Sequence, residues 1–287
     1  MKNLKKIIED IKVQGHDPEL LQALLWKLIC YSPKMPSRLH QQNLLDTAKT
    51  STLKVYDQYF SESDLNFNCF RWGNGPIKIL LTHGWGSKAI DFSELIDVLL
   101  LNKDIEIWAF DAPGNGSSEG DLSNLILFAE AIKEFKKNYG APDVMIGHSL
   151  GGMANTLVIH ETLQFPKLLI SIAPLVNLTE NFKSSMTAVG ISENAQKRFF
   201  DEFEERYQMS TDHFLLNNMY TFADDVKHLL IYEANDYISP ASYIETFLEQ
   251  YPTINVSKYD DTTHAKIIID SRVINEIDVI IKETFSF

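Results

Sequence analysis

The chain has 287 residues, enough for one large domain or a domain with an insertion. Hydrophobic residues make up 45% and charged residues 23%, so a sizeable buried core is possible. The formal net charge is −13 and no basic tract stands out. Nucleic acid, anionic lipid surfaces and polyanionic substrates all reward clustered Lys and Arg, so each is disfavoured as a partner.

From the N-terminus, Met1 to Asp10 starts basic and then alternates charge with Ile and Leu. That pattern predicts a helix and not a signal peptide, and a cytoplasmic protein is the expectation. Asp17-Pro18-Glu19 is a helix-start signal, because Asp caps and Pro suits the first helical position. The apolar run Leu20 to Cys30 is broken by Gln22 and Lys27 and is too short to span a bilayer. Pro33 and Pro36 then break the helical pattern. Residues 1–50 carry no chemical motif and are expected to be an N-terminal helical extension packed on the main domain. Cys30 and Cys69 have no CxxC partner, so neither a metal nor a redox role is expected; both read as small buried hydrophobes or free thiols.

From about residue 53 the rhythm changes. Leu53 to Phe60 and Asn66 to Trp72 predict two short strands joined by a polar turn. Ile77 to Thr82 is an apolar run of the kind that forms a strand buried on both faces. Similar runs follow at Ile105 to Phe110, Val144 to Ile146, Leu168 to Ile172, Leu229 to Tyr232 and Ile254 to Ser257. Helical patterns separate most of them, at Phe92 to Leu101, Leu122 to Tyr139, Gly151 to Leu163 and Pro240 to Gln250. This alternation predicts an α/β protein with a mostly parallel central sheet and helices on both faces. Between Ala173 and His228 the helical pattern runs on for about fifty residues, longer than a plain crossover. It is read as a helical cap, about 175–226, inserted over the site in a domain spanning 51–287.

The strongest local signal is Gly147-His148-Ser149-Leu150-Gly151, after an apolar run and before a helical pattern. This is the G-x-S-x-G turn in the strand–turn–helix context that exposes a nucleophilic serine. A serine hydroxyl needs a base, and in this arrangement the order along the chain is Ser, then Asp or Glu, then His. Of His160, His213, His228 and His264, only His264 lies in a polar loop after the last strand, so it is the expected base. The acid is expected on the loop Glu233 to Pro240, where Asp236 is the sole aspartate and Glu233 the alternative; Asp260 and Asp261 read as surface charges. The expected oxyanion donors are the backbone N–H groups of Leu150 and of Trp85, the latter in His83-Gly84-Trp85-Gly86-Ser87. His83 is expected to be structural. Trp85 and His148 are expected to contact substrate.

With Phe110-Asp111-Ala112-Pro113-Gly114-Asn115-Gly116-Ser117-Ser118 added, the motifs resemble the α/β-hydrolase fold superfamily in its capped, non-lipase form, over roughly residues 66–287. The usual form of that stretch is D-x-P-G-H-G-x-S, and Asn115 stands where the histidine would be. The first 50 residues, with the HGW form, resemble a bacterial branch of hydrolases whose substrates are mostly undefined. The resemblance implies a serine hydrolase that cleaves a carboxylic ester or related acyl bond through an acyl-enzyme, with no metal or organic cofactor, and it implies no substrate; the aromatic residues of the cap segment, such as Phe182, Phe199 and Phe203, suit a small apolar molecule. Ser149 argues against epoxide and haloalkane chemistry, in which the elbow carries an aspartate. Other members of the superfamily are thioesterases, aminopeptidases and non-enzymes, so the alternatives are a ligand-binding protein on this fold, non-catalytic or very slow, and an aminopeptidase or thioesterase. Asp201 to Glu205 could hold a substrate amine, but reads as a solvated helix face.

Overall fold

The computed structural model describes residues 2–15 and 17–286; Met1, His16 and Phe287 lie outside the described residues. Three helices lead: α1 (Lys2–Gln14), α2 (Pro18–Cys30) and α3 (Leu39–Leu45). The side chain of Asp17 accepts from the N–H groups of Glu19 and Leu20, so the start signal works as a cap. Then come β1 (Lys49–Asp57), β2 (Ser63–Gly73), β3 (Ile77–Thr82), α4 (Ser93–Leu99), β4 (Ile105–Phe110), α5 (Leu125–Tyr139), β5 (Val144–His148), α6 (Leu150–Thr162) and β6 (Leu168–Ile172). The helices α7 (Leu178–Ala188), α8 (Glu193–Tyr207) and α9 (Leu216–Met219) follow. The chain closes with β7 (Lys227–Glu233), α10 (Ala241–Gln250), β8 (Asn255–Tyr259) and α11 (Ser271–Phe285).

The eight strands form one sheet in the order β1-β2-β4-β3-β5-β6-β7-β8. Strand β2 runs antiparallel to both its neighbours, and every other pairing is parallel. Alternate residues of each inner strand enter two cores, one on each face. Leu80, Met145, Leu169 and Leu230 pack with α5, α6 and α10, while Ile79, Leu81, Ile146, Ile170 and Ile231 pack with α4 and α11. Double-sided burial is why these strands read as unbroken apolar runs.

Several expected strand boundaries move by a few residues, and β1 moves at both ends, starting at Lys49 instead of Leu53. The first strand stops at Asp57 instead of running to Phe60. The buried Asp57 carboxylate accepts from the N–H groups of Tyr59, Phe60 and Ser61, and so closes the turn at that point.

Helix α2 packs on α7 and α8, which lie between β6 and β7 in sequence. Trp26 is the centre of this contact. Its ring centroid lies 4.6 Å from that of Phe199 and 6.1 Å from that of Phe203. Its indole N–H donates to Glu202 at 3.1 Å, and the Arg206 guanidinium sits 4.5 Å over its face. Arg206 also donates to the Tyr59 carbonyl at 2.8 Å, tying the β1–β2 turn to the same cluster. Among the described residues no helix is long and apolar enough to cross a membrane. Cys30 and Cys69 are buried free thiols, and burial pushes Cys69 up to about 12.

Candidate active site

The site lies at the carboxyl ends of the parallel strands, where open α/β sheets place their binding crevices. Ser149 is the residue between β5 and α6. Its backbone has φ 53° and ψ −120°, a strained conformation for a residue with a side chain. The glycines around it admit the neighbouring chain. A Cβ on Gly147 would lie 2.6 Å from Gly152, and one on Gly151 would lie 2.2 Å from the Thr82 carbonyl oxygen. Thus β3, the turn and α6 meet at distances only glycine permits.

The structure brings Ser149, His264 and Asp236 into one hydrogen-bonded line. The Ser149 hydroxyl is 2.9 Å from His264 Nε2, and His264 Nδ1 is 2.5 Å from Asp236 Oδ2. A carboxylate only accepts, so Nδ1 carries the proton and Nε2 presents its lone pair to the serine. The other Asp236 oxygen accepts from the N–H groups of Ile238 at 2.8 Å and Ser239 at 3.1 Å. Burial alone would raise the Asp236 carboxyl. The hydrogen bond and charge of His264, with the two N–H groups, outweigh it and hold the carboxyl below the usual carboxylate range. A hydroxyl bonded to an imidazole that is bonded in turn to a buried carboxylate can lose its proton as it attacks a carbonyl.

The remaining candidates sort by their partners. The N–H groups of Trp85 and Leu150 have no acceptor among the described residues. Both residues border the same cavity as Ser149. His83 is fully enclosed; the Ala112 N–H donates to its Nε2 at 3.0 Å and its Nδ1 donates to the Gly84 carbonyl at 2.7 Å. Burial lowers its pKa, and with both nitrogens engaged it holds the loop after β3. His148 also borders the cavity, but its Nε2 donates to the backbone carbonyl of His264 at 2.8 Å. Burial, then the neighbouring His264, push His148 down to about 3, so it is neutral. Glu233 accepts from Asn235, while Asp261 pairs with Arg272 at the surface. His160 pairs with Thr221, and His228 is enclosed between Tyr220 and Ser171. In the acidic stretch of α8, Asp201 pairs with Lys197 and Glu202 with Trp26, so those two carboxylates are spoken for.

Asn115 has a job of its own. It is fully buried, donates to the Pro113 carbonyl at 3.1 Å and to the Ser123 hydroxyl at 3.0 Å, and accepts from the Ser32 hydroxyl. It thereby fastens the N-terminal segment to the loop after β4. In the same loop the Asp111 carboxylate accepts from the N–H groups of Ala89 and Ser117.

The cavity over Ser149 has a volume of about 710 Å³, within the usual range for small-molecule sites. Trp85, Leu150 and His264 border it on the sheet side, and Leu178 and Phe182 of α7 border it on another. The third side is Leu28 to Gln41, including Ile29, Pro33, Met35 and Arg38. Sequence reasoning missed this wall; its faint signals were the Pro33–Pro36 pair and the asparagine at 115. A second cavity of about 1130 Å³ lies between α7, α8 and residues 237–243, and meets the first at Leu175, Asn181, Ser185 and Ile238. Among the described residues no group of three or more His, Cys, Asp or Glu side chains is placed to hold a metal ion.

Comparison with known proteins gives consistent results. Mouse monoglyceride lipase is 31% identical over 121 residues, a match that covers 38% of this chain and 39% of that enzyme. The human enzyme of the same name is 29% identical over 119 residues, again 38% of this chain and 39% of the relative. The chain therefore matches well under half the length of either curated relative. Among solved structures, a thermophilic esterase from Thermogutta terrifontis superposes with a TM-score of 0.58 at 15% identity, covering 82% of this chain and 99% of that one. A Pyrococcus furiosus esterase superposes with a TM-score of 0.59 at 16% identity, covering 89% and 96%. These last two likenesses are of fold. The family model described as the alpha/beta hydrolase family matches residues 79–269, from β3 through Ser149, Asp236 and His264, and to that family the chain belongs.

Proposed function

We propose that the chain is a serine hydrolase that cleaves a carboxylic ester, or a related acyl bond, of a small apolar molecule. The observation that carries this reading is the unbroken line Ser149–His264–Asp236 at 2.9 Å and 2.5 Å beneath a cavity. The Ser149 hydroxyl attacks the acyl carbonyl while His264 Nε2 takes its proton. The carbonyl oxygen, now negative, accepts from the Trp85 and Leu150 N–H groups. His264 then gives the proton to the leaving alcohol. A water repeats the sequence, with His264 as base, and frees the acid and Ser149. Asp236 holds the imidazole in its tautomer and stabilises the imidazolium. No step requires a cofactor. In this reading 175–226 serves as a cap over the site and 1–50 as a helical extension that braces it. The names of the relatives, lipase and esterase, agree with an ester substrate.

The test is labelling of the purified protein by a fluorophosphonate, beside hydrolysis of p-nitrophenyl acetate. Labelling at Ser149 with turnover, both abolished by Ser149→Ala, is the expected result. Folded wild-type protein that neither labels nor turns over would favour a ligand-binding role instead.

A further inference from the structure

The wall missed by sequence reasoning is built with care. It leaves α2 at Cys30 and crosses in extended form to α3. Five ties hold it on two sides. Toward the loop after β4, the Cys30 carbonyl accepts from Ser123 N–H at 2.8 Å, Ser32 donates to Asn115, and the Lys34 ammonium donates to the Ser118 carbonyl at 2.7 Å. Toward the loop after β3, the buried Lys88 ammonium donates to the Met35 carbonyl at 2.8 Å, and a methyl group built on Gly86 would lie 3.6 Å from the Pro33 ring. Gly86 stands next to Trp85, so Pro33 abuts the loop that offers an oxyanion donor.

What this strap presents to the cavity is apolar along most of its length, with Arg38 at its far end. Ile29, Pro33, Met35 and Pro36 border it, and Met35 is 52% exposed. At that end the Asp91 carboxylate is engaged: it accepts from Ser87, from the Lys88 N–H and from Gln41. An exposed methionine whose backbone is pinned at its own carbonyl, facing a cavity, suits contact with a flexible apolar chain. The family match begins at residue 79, so the strap lies outside it.

We propose that the strap Ile29–Arg38, with Met35 at its centre, is a specificity element that grips the apolar chain of the ester and sets how long it can be. The proposal rests on the serine-hydrolase reading above. The ester has two ends, and either the acyl or the alcohol chain can lie on the strap.

The experiment compares wild type, Met35→Trp and Leu39→Trp in two series. One lengthens the acyl group from p-nitrophenyl acetate to decanoate; the other lengthens the alcohol from methyl to octyl acetate. The readout is the ratio of kcat/KM for the longest to the shortest substrate. In Met35→Trp this ratio falls at least fivefold in one series, and the series affected identifies the chain that lies on the strap. In Leu39→Trp, at an 80% exposed position outside the cavity, both ratios match wild type. Unchanged ratios in Met35→Trp overturn the proposal, as does an equal fall in Leu39→Trp, which would make the effect non-local. If the wild type hydrolyses no ester at all, the hydrolase reading itself has failed, and the two failures are thereby distinguished.

Discussion

On the sheet side of the cavity, Ser149 stands on a turn where glycines at 147 and 151 leave no room for any other residue. On the N-terminal side, Pro33 and Met35 are carried by a strap whose ties are mostly side-chain hydrogen bonds from Ser32, Lys34 and Lys88. The first wall is positioned by exclusion: its backbone has one place to go. The second is positioned by attachment, and each attachment can be lost singly. Chemistry that tolerates little displacement belongs on the first kind of wall. Contacts that select among substrates suit the second, because they can be altered without disturbing the reacting atoms.

Perturbing each side in turn sharpens this contrast. The largest effect belongs to Ser149→Ala, expected to lower kcat by about 10⁶-fold with the melting temperature little changed. Asp236→Asn should lower kcat by about 10⁴-fold, because the imidazole loses its preferred tautomer while the turn keeps its shape. A comparable loss of stability in that variant would show that the sheet-side wall depends on attachments after all. On the other side, Trp26→Ala removes a ring enclosed by α8 and should cost about 4 kcal/mol in denaturant unfolding. A loss under about 1 kcal/mol would mean that α2 is not what braces α8.

Acid should act on the sheet side, through histidines buried at either end of its strands. Burial pushes His148 and His228 down to about 3, whereas in the unfolded chain each titrates near about 6.5. The unfolded state therefore binds protons first as pH falls. Their contribution to stability is present above about pH 6.5 and is lost progressively down to about pH 3, at about 1.4 kcal/mol per pH unit for each. Urea midpoints measured from pH 7.5 to 4.5 should fall, and replacing His228 with Gln should flatten the slope. The smallest effect is that of Asn115→Ala, which leaves the Ser32 and Ser123 hydroxyls without a partner at about 2 kcal/mol. It should also blunt chain-length selectivity while retaining turnover of the shortest ester.

The sheet-side wall is also the one that local sequence describes well. Ile77–Thr82, Ile105–Phe110 and Leu168–Ile172 are read to the residue, because strands buried on both faces are apolar throughout. Chain order and strand ends restrict the search to Ser149, Asp236 and His264, which the fold brings into hydrogen-bond contact. The strap gave no such handle. Its partners, Asn115 and Ser118, lie more than eighty residues away in sequence, and a hydroxyl–amide pair leaves no periodicity behind it. The end of β1 at Asp57 was missed for a similar reason: one buried carboxylate, not propensity, stops the strand.

The clasp of Trp26 by α8 also bears on the order of events during synthesis. Its hydrogen bonds join residues 173 and 176 positions apart. At about 5–20 residues per second, α2 waits roughly 10 to 35 seconds before α8 has been made. During that interval Trp26, buried in the finished molecule, lacks the α8 rings that pack on it. Helix α2, made well before α8, thus settles only after it. A nascent chain halted before residue 193 should expose the Trp26 face to chaperones, and the full 287-residue chain should conceal it.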